Sequence, residues 1–254
     1  MAMSFIALKN LHKRFGRLVV LDGVDLTIEA GESIVIIGAS GSGKSVLLKH
    51  IVGLLRPDRG EVHFDGQRID TLPERALMKV RERFGFLFQM GALFDSMTVE
   101  ENVAFPLVEH TKLNPDEVSR RVLHKLTMVG LPTVGKKMPA ELSGGQRKRV
   151  ALARAIALEP DVILYDEPTT GLDPIRADVI NELILKLKRE LSVTSIVVTH
   201  DMQSAFKVGD RIVMLHDGKI NFDGTPEEIQ RSTEVIVQRF VQGEASDEEL
   251  ATLK

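Results

Sequence analysis

Apolar positions along the chain fall into two periods, one of two residues and one of three to four, and their alternation predicts an α/β architecture. Phe5–Lys9 and Val24–Ile28 alternate apolar with polar residues, as half-buried antiparallel strands do. Ser33–Ile37 is a nearly unbroken β-branched run, the pattern of a strand covered on both faces. A glycine-rich loop follows, and then Ser45–Leu54, with Val46, Leu47, Ile51 and Leu54 set to line one helical face. Pro57-Asp58-Arg59-Gly60 marks a turn, and Glu61–Phe64 with Asp65-Gly66 reads as a strand and a second turn.

The pattern changes after the strand at Phe84–Phe88. Asn114-Pro115-Asp116-Glu117 supplies an N-cap, a proline at the first helical position and acids in the first turn. Val118, Val122, Leu126 and Val129 then recur at helical spacing until Gly130 and Pro132, and a further helix is expected over Gly144–Leu158. Strand character returns at Val162–Tyr165. Asp173-Pro174 opens a helix striped by Val179, Leu183, Leu187 and Leu191, with Ile180 and Ile184 beside them. Thr194–Thr199 is another buried-strand run, Ile212–Leu215 and Lys219–Phe222 flank Asp217-Gly218 as a hairpin, and Thr225-Pro226-Glu227-Glu228 is a capping box. A mainly parallel sheet with a helical insertion near residues 89–157 accounts for this order.

Composition narrows the function. The 33 basic and 36 acidic residues leave a net charge of −3, so no bulk basic field draws the chain onto nucleic acid. With no cysteine there is no disulfide framework, thiolate metal site or thiol chemistry. The longest uncharged runs, Ser33–Gly43 and Phe84–Phe94, fall well short of the ~18 apolar residues that span a bilayer. The start, MAMSFIALKN, lacks a basic region ahead of an apolar core, so no secretory signal is expected.

Gly38-Ala39-Ser40-Gly41-Ser42-Gly43-Lys44-Ser45 fits G-x-x-x-x-G-K-S/T between a strand and a helix. Glycines let the backbone curl so that several N–H groups face phosphate oxygens, and the helix N-terminus adds partial positive charge. Lys44 is placed to reach β- and γ-phosphates and Ser45 to ligate Mg²⁺. Val162–Glu167 is an apolar strand ending in two carboxylates. Asp166 can hold Mg²⁺ through water, and Glu167, expected to point the other way along the pleat, can act as general base.

Leu142-Ser143-Gly144-Gly145-Gln146 is a second anion-binding helix end, with Ser143 as N-cap. The basic run Arg147-Lys148-Arg149 behind it opposes the dipole preference for acids there, which sits poorly with a purely structural role. One γ-phosphate has no need of two such sites on one chain, so the second is expected to serve a nucleotide held by another copy.

The loop GASGSGKS, the run LSGGQ and the strand VILYDE together resemble the ATPase subunits of ABC transporters, across most of residues 5–240. That resemblance implies a P-loop NTPase (RecA-like) α/β core with a mainly parallel sheet, an N-terminal antiparallel β-subdomain and an inserted α-helical subdomain. It implies an ABC-type ATPase domain over 5–240, with 5–88 and 158–240 as β-subdomain plus core, 89–157 helical, and 241–254 a tail. Phe15 matches the aromatic that stacks on adenine, where many relatives have Tyr. Gln89 matches the glutamine that senses Mg²⁺ and the transmembrane partner, and Thr170-Gly171-Leu172-Asp173 the loop that crosses to the opposite subunit. His200 matches the switch histidine at the γ-phosphate.

Phe88–Val99, continuing to Pro106, is similar to ATPases of the Mla and Mce lipid-transport systems, and Val46 leans the same way. The resemblance implies ATP and Mg²⁺ as ligands, a homodimer, and a transmembrane permease docked on Gln89–Phe94, with Met90, Leu93 and Phe94 as the apolar surface. A periplasmic Mce-type lipid-binding component follows indirectly, on a chain placed at the cytoplasmic face of the inner membrane. Importers of amino acids or ions share the motifs. So do DNA-repair and chromosome ATPases, which add coiled coils or zinc modules, and translation factors, which carry two such domains. The end of the chain stays open to two readings. Val235, Ile236, Val237, Phe240 and Val241 form an apolar helix end, and beyond it lies either a frayed acidic tail or a short helix, capped at Ser246, that clasps the other protomer.

Overall fold

A computed structural model describes residues 4–244. Of these, residues 4–70 together with 199–244 form one compact unit, and Thr71–Val198 forms another.

The first unit opens with a hairpin of β1 (Ile6–Phe15) and β2 (Leu18–Ile28), turned at Gly16-Arg17. The alternation that stops at Lys9 in sequence marks a register irregularity, not the strand's end. Asn10 takes a positive φ of 47°, which asparagine tolerates, and its N–H donates to Asp25 Oδ1 at 2.8 Å. β1 therefore runs six residues further than the pattern predicts, and β2 begins before Val24. β3 (Ser33–Ile37) is buried at every position. α1 (Lys44–Ile51) ends earlier than expected: the chain turns at Gly53, with the Leu54 and Leu55 N–H groups donating to Lys49 O, which leaves Leu54 48% exposed. β4 (Arg59–Phe64) and β5 (Gln67–Arg68) complete an antiparallel sheet in the order β2-β1-β4-β5.

The second unit begins with α2 (Glu74–Arg81) and β6 (Phe84–Leu87), one residue shorter than predicted because Phe88 turns out to solvent. α3 (Val99–His110), α4 (Pro115–Met128) and α5 (Gly144–Ala155) follow, with a single 3-10 turn at Pro139–Glu141. Neither α2 nor α3 was expected. α3 carries its own signal, a capping box in which Thr98 Oγ1 accepts from Glu101 N and Glu101 Oε2 accepts from Thr98 N. α4 starts at the predicted Asn114 cap, although Val118 is only half-buried. β7 (Val162–Asp166) lies between β6 and β8 (Thr194–Val198), all parallel, and α6 (Pro174–Leu191) connects β7 to β8. Ile180, Leu183, Ile184 and Leu187 bury the face of α6, while Val179 falls outside the stripe.

The chain returns to the first unit through α7 (Met202–Val208), β9 (Arg211–His216) and β10 (Lys219–Gly224). β9 pairs parallel with β3 and antiparallel with β10, the predicted hairpin. α8 (Pro226–Gln230) carries the Thr225 capping box, and α9 (Val235–Gln242) ends at Gly243 with only Val237 fully buried. The tail helix capped at Ser246 lies outside the described residues.

Two positions on α6 separate core from surface. Leu187→Ala empties a site with 0% exposure and should cost about 2–5 kcal/mol, whereas Val179→Ala, 48% exposed, should stay within about 0.5 kcal/mol. Urea midpoints at constant slope measure both.

Candidate nucleotide site

In the first unit the loop leaving β3 is shaped by close backbone approaches. A Cβ on Gly38 would stand 2.2 Å from Leu215 O and 2.8 Å from Ser42 Oγ, and one on Gly43 2.9 Å from Val20 O. Both glycines also hold positive φ, 153° and 102°, so no other residue fits either place. Lys44, only 7% exposed, folds back over the loop and donates from Nζ to Gly38 O at 2.7 Å and Ala39 O at 2.9 Å. Ser42 Oγ is buried with no hydrogen-bond partner among the described residues. A curled backbone, an ammonium and an unanswered hydroxyl are the donor set that a phosphate group satisfies. Ala39, Ser40, Gly41 and Ser45 lie exposed around it, and Val46 is half-buried on α1.

Phe15 stands at the tip of the β1–β2 hairpin, 48% exposed, with Lys13 Nζ 5.5 Å from its ring centroid. It is not a core residue, and an exposed aromatic face suits stacking. His200 is exposed and immediately precedes Asp201, the N-cap of α7. Just before it, Thr199 N–H donates to Ile36 O at 3.2 Å.

The second unit carries the carboxylates. Asp166 ends β7 above the fully buried Tyr165, and both Asp166 and Glu167 are half-buried. Glu167 does not follow the pleat as expected. It lies beyond the strand with a positive φ of 50°, so a turn rather than strand alternation sets its direction. Its N–H donates to Val198 O at 2.9 Å, and its Oε2 accepts from Thr170 Oγ1 at 3.0 Å.

Ser143 caps α5 through a full box: Ser143 Oγ accepts from Gln146 N at 3.3 Å and Gln146 Oε1 accepts from Ser143 N at 2.9 Å. The box leaves the Gly144 and Gly145 amides at the helix start, where no intrahelical acceptor exists. Leu142 is buried behind them. A Cβ on Gly144 would meet the Leu172 side chain at 3.7 Å and one on Gly145 that of Arg176 at 3.8 Å, so this tip lies beside the 170–176 segment. Asp173 is the N-cap of α6, accepting from Arg176 N at 3.0 Å, and remains exposed.

The basic run has a structural use that sequence reasoning missed. Arg147 donates to Leu142 O at 2.7 Å and Arg149 to Val129 O at 3.3 Å. Lys148 donates to Pro168 O and Thr170 O, both at 2.7 Å, and to Glu167 O at 3.4 Å. Each cation is met by a backbone carbonyl, Arg147 by that of Leu142 just before the cap and Lys148 and Arg149 by carbonyls of other segments, which offsets the unfavourable charge near the helix start. Burial pushes the Lys148 ammonium down to about 8, against the pull of the Glu167 charge.

Gln89 is exposed on the loop after β6, beside Met90 at 86% exposure. Arg154 of α5 holds this loop, donating to Gly91 O at 3.0 Å and Ala92 O at 2.8 Å while facing the Phe94 ring at 5.5 Å. Asn102 fixes the next stretch by accepting from Phe94 N and donating to the Phe94, Met97 and Thr98 carbonyls. An open groove of 360 Å³ runs here, lined by Phe84, Phe86, Phe88, Phe94 and Phe105 among others.

The model of the ABC transporter family matches residues 21–170. The chain belongs to the ABC transporter family. It is 45% identical over 245 residues to the intermembrane phospholipid transport system ATP-binding protein MlaF of Haemophilus influenzae, covering 96% of this chain and 93% of that one. It is 44% identical to "Probable ribonucleotide transport ATP-binding protein mkl" of Mycobacterium tuberculosis, over 94% of this chain and 66% of the relative. The dimeric post-hydrolysis structure of the ATP-binding cassette MJ0796 with ADP and Pi superposes with a TM-score of 0.80 at 38% identity, covering 87% of this chain and 98% of that one. The ABC cassette fold is thus the P-loop NTPase fold read from the motifs, and this ABC family member is an ATP hydrolase.

Within the phosphate loop, Lys44→Ala should lower ATP affinity at least about tenfold by removing a charged donor. Lys49→Ala, exposed on the same helix, should leave it unchanged. Equilibrium dialysis with labelled ATP measures both.

Proposed function

We propose that this ATPase drives phospholipid transport between membranes. The observation that carries the reading is the near end-to-end match to a relative named for that activity, 93% of its length against 66% for the ribonucleotide-named relative. The Phe88–Pro106 stretch favours the same choice over importers of amino acids or ions.

In this reading Lys44 and the amides of residues 38–45 bind the β- and γ-phosphates, and Phe15 stacks on the adenine. In this reading the metal at the phosphates takes few protein ligands. That suits Mg²⁺, which keeps waters and phosphate oxygens in its shell. Ser45, Asp166 and Gln89 would hold it, and its charge would offset that of the phosphates. Glu167 takes the proton of the attacking water, and His200 orients water and γ-phosphate.

A second copy of the chain completes the arrangement. Its Ser143, Gly144 and Gly145, flanked by Leu142 and Gln146, bind the γ-phosphate held by the first copy, with Asp173 in the crossing loop. Moving such a closure from 1:99 to 99:1 takes about 5.5 kcal/mol. A few charge-assisted hydrogen bonds at about 1.5–3 kcal/mol each supply that difference. Among the described residues no helix is long and apolar enough to cross a membrane. In this reading closure acts on a membrane-embedded partner. The exposed Met90 and the aromatic groove behind it are the docking surface of that permease, at the inner face of the membrane, with a periplasmic lipid-binding component reached through it.

Glu167→Gln should retain ATP binding and reduce steady-state turnover by at least about a hundredfold, since it removes the base and little else. Purifying the chain with its partners from native membranes and identifying the bound small molecules by mass spectrometry tests the substrate. Phospholipid is expected, and a bound nucleotide precursor or amino acid would overturn the assignment.

A further inference from the structure

Lys148 lies in the second turn of α5, yet its side chain serves another segment. An ammonium has three N–H donors and no acceptor, and Lys148 spends them on three carbonyls of one short stretch: Pro168 and Thr170 at 2.7 Å and Glu167 at 3.4 Å. Lysine is seldom buried to 7% exposure unless its charge is met. The stretch it holds is irregular. It begins beyond the β7 ladder with Glu167 in the left-handed region, a conformation that non-glycine residues keep only when their surroundings enforce it.

The same stretch fixes the Glu167 carboxylate. Thr170 accepts the ammonium at its carbonyl and donates from Oγ1 to Glu167 Oε2 at 3.0 Å. Lys148 thus grips the residue that grips the carboxylate. Arg147 and Arg149 do not substitute, because each is bound to a different carbonyl.

We propose that Lys148 is a positioning residue for ATP hydrolysis: its hold on the 167–170 carbonyls sets the Glu167 carboxylate in its working direction and ties it to the helix that begins at Ser143. The proposal rests on Glu167 being the general base. It acts through geometry, so its loss should appear in the chemical step and not in nucleotide binding. A carboxylate shifted by about 1 Å loses on the order of a hundredfold in rate.

The test is a double-mutant cycle on the full chain, with single-turnover hydrolysis of labelled ATP and separately measured ATP affinity. K148M should lower the hydrolysis rate about a hundredfold with ATP affinity changed less than about threefold. K148R, which keeps a charged donor, should recover at least about a tenth of the wild-type rate. The E167Q/K148M chain should be no slower than E167Q, because a misplaced glutamine loses nothing further. Wild-type hydrolysis in K148M, a loss carried by ATP affinity, or independent multiplication of the two defects would overturn the proposal. If E167Q itself hydrolyses ATP at the wild-type rate, the assignment of Glu167 fails first, an outcome distinct from an inert E167Q beside a fully active K148M. Should K148M not fold, K148Q enters the same cycle.

Discussion

A buried or half-buried positive charge closed onto backbone carbonyls holds three irregular loops of this chain. Lys44 binds the carbonyls of Gly38 and Ala39, Lys148 those around Pro168, and Arg154 those of Gly91 and Ala92. Loops cannot satisfy their backbone in a strand ladder or helix, and an unpaired buried carbonyl is costly. Taking a cation out of water is costly too, several kcal/mol before compensation. Each cost is offset by the other. The arrangement lets segments with positive φ, at Gly38, Ala92 and Glu167, persist as fixed structure.

Two of these three grips start from one helix. α5 begins with the Ser143 capping box, sends Lys148 to the loop of Glu167, and sends Arg154 to the loop of Gln89. If the amides at its start take the phosphate of a neighbouring copy, a single rigid element joins phosphate recognition, the hydrolytic base and the surface offered to a permease. A helix moves as a body because its own hydrogen bonds stiffen it, so a displacement at one end reaches all three. Asn102 extends the same hold into α3, where it binds three carbonyls of the preceding turn.

Much of this was legible from residue order. The phosphate loop, the Asp166-Glu167 pair, the Ser143 cap and the buried strands at Ser33–Ile37 and Thr194–Val198 all announce themselves by local pattern. What escaped depends on distant chain or on one permissive residue. Asn10 carries β1 through a bulge where the alternation breaks, and Gly53 ends the α1 stripe before Leu54. The Thr98-x-x-Glu101 box that starts α3 follows the same local rule as Thr225-x-x-Glu228. Nothing in the sequence says that Lys148 binds a loop 20 residues downstream; only its awkward charge near a helix start hinted at a use.

In the proposed function, a nucleotide's terminal phosphate joins two copies of this chain. Because the chain has no cysteine, S40C and E141C can be introduced as its only thiols, one beside each anion-binding element, in an E167Q background. Cross-linking with a short bis-maleimide and weighing the products then reads the contact directly. A species of twice the chain's mass that forms with ATP, and not without it, is the predicted result. Uncross-linked single chains with ATP bound at saturation would contradict the account.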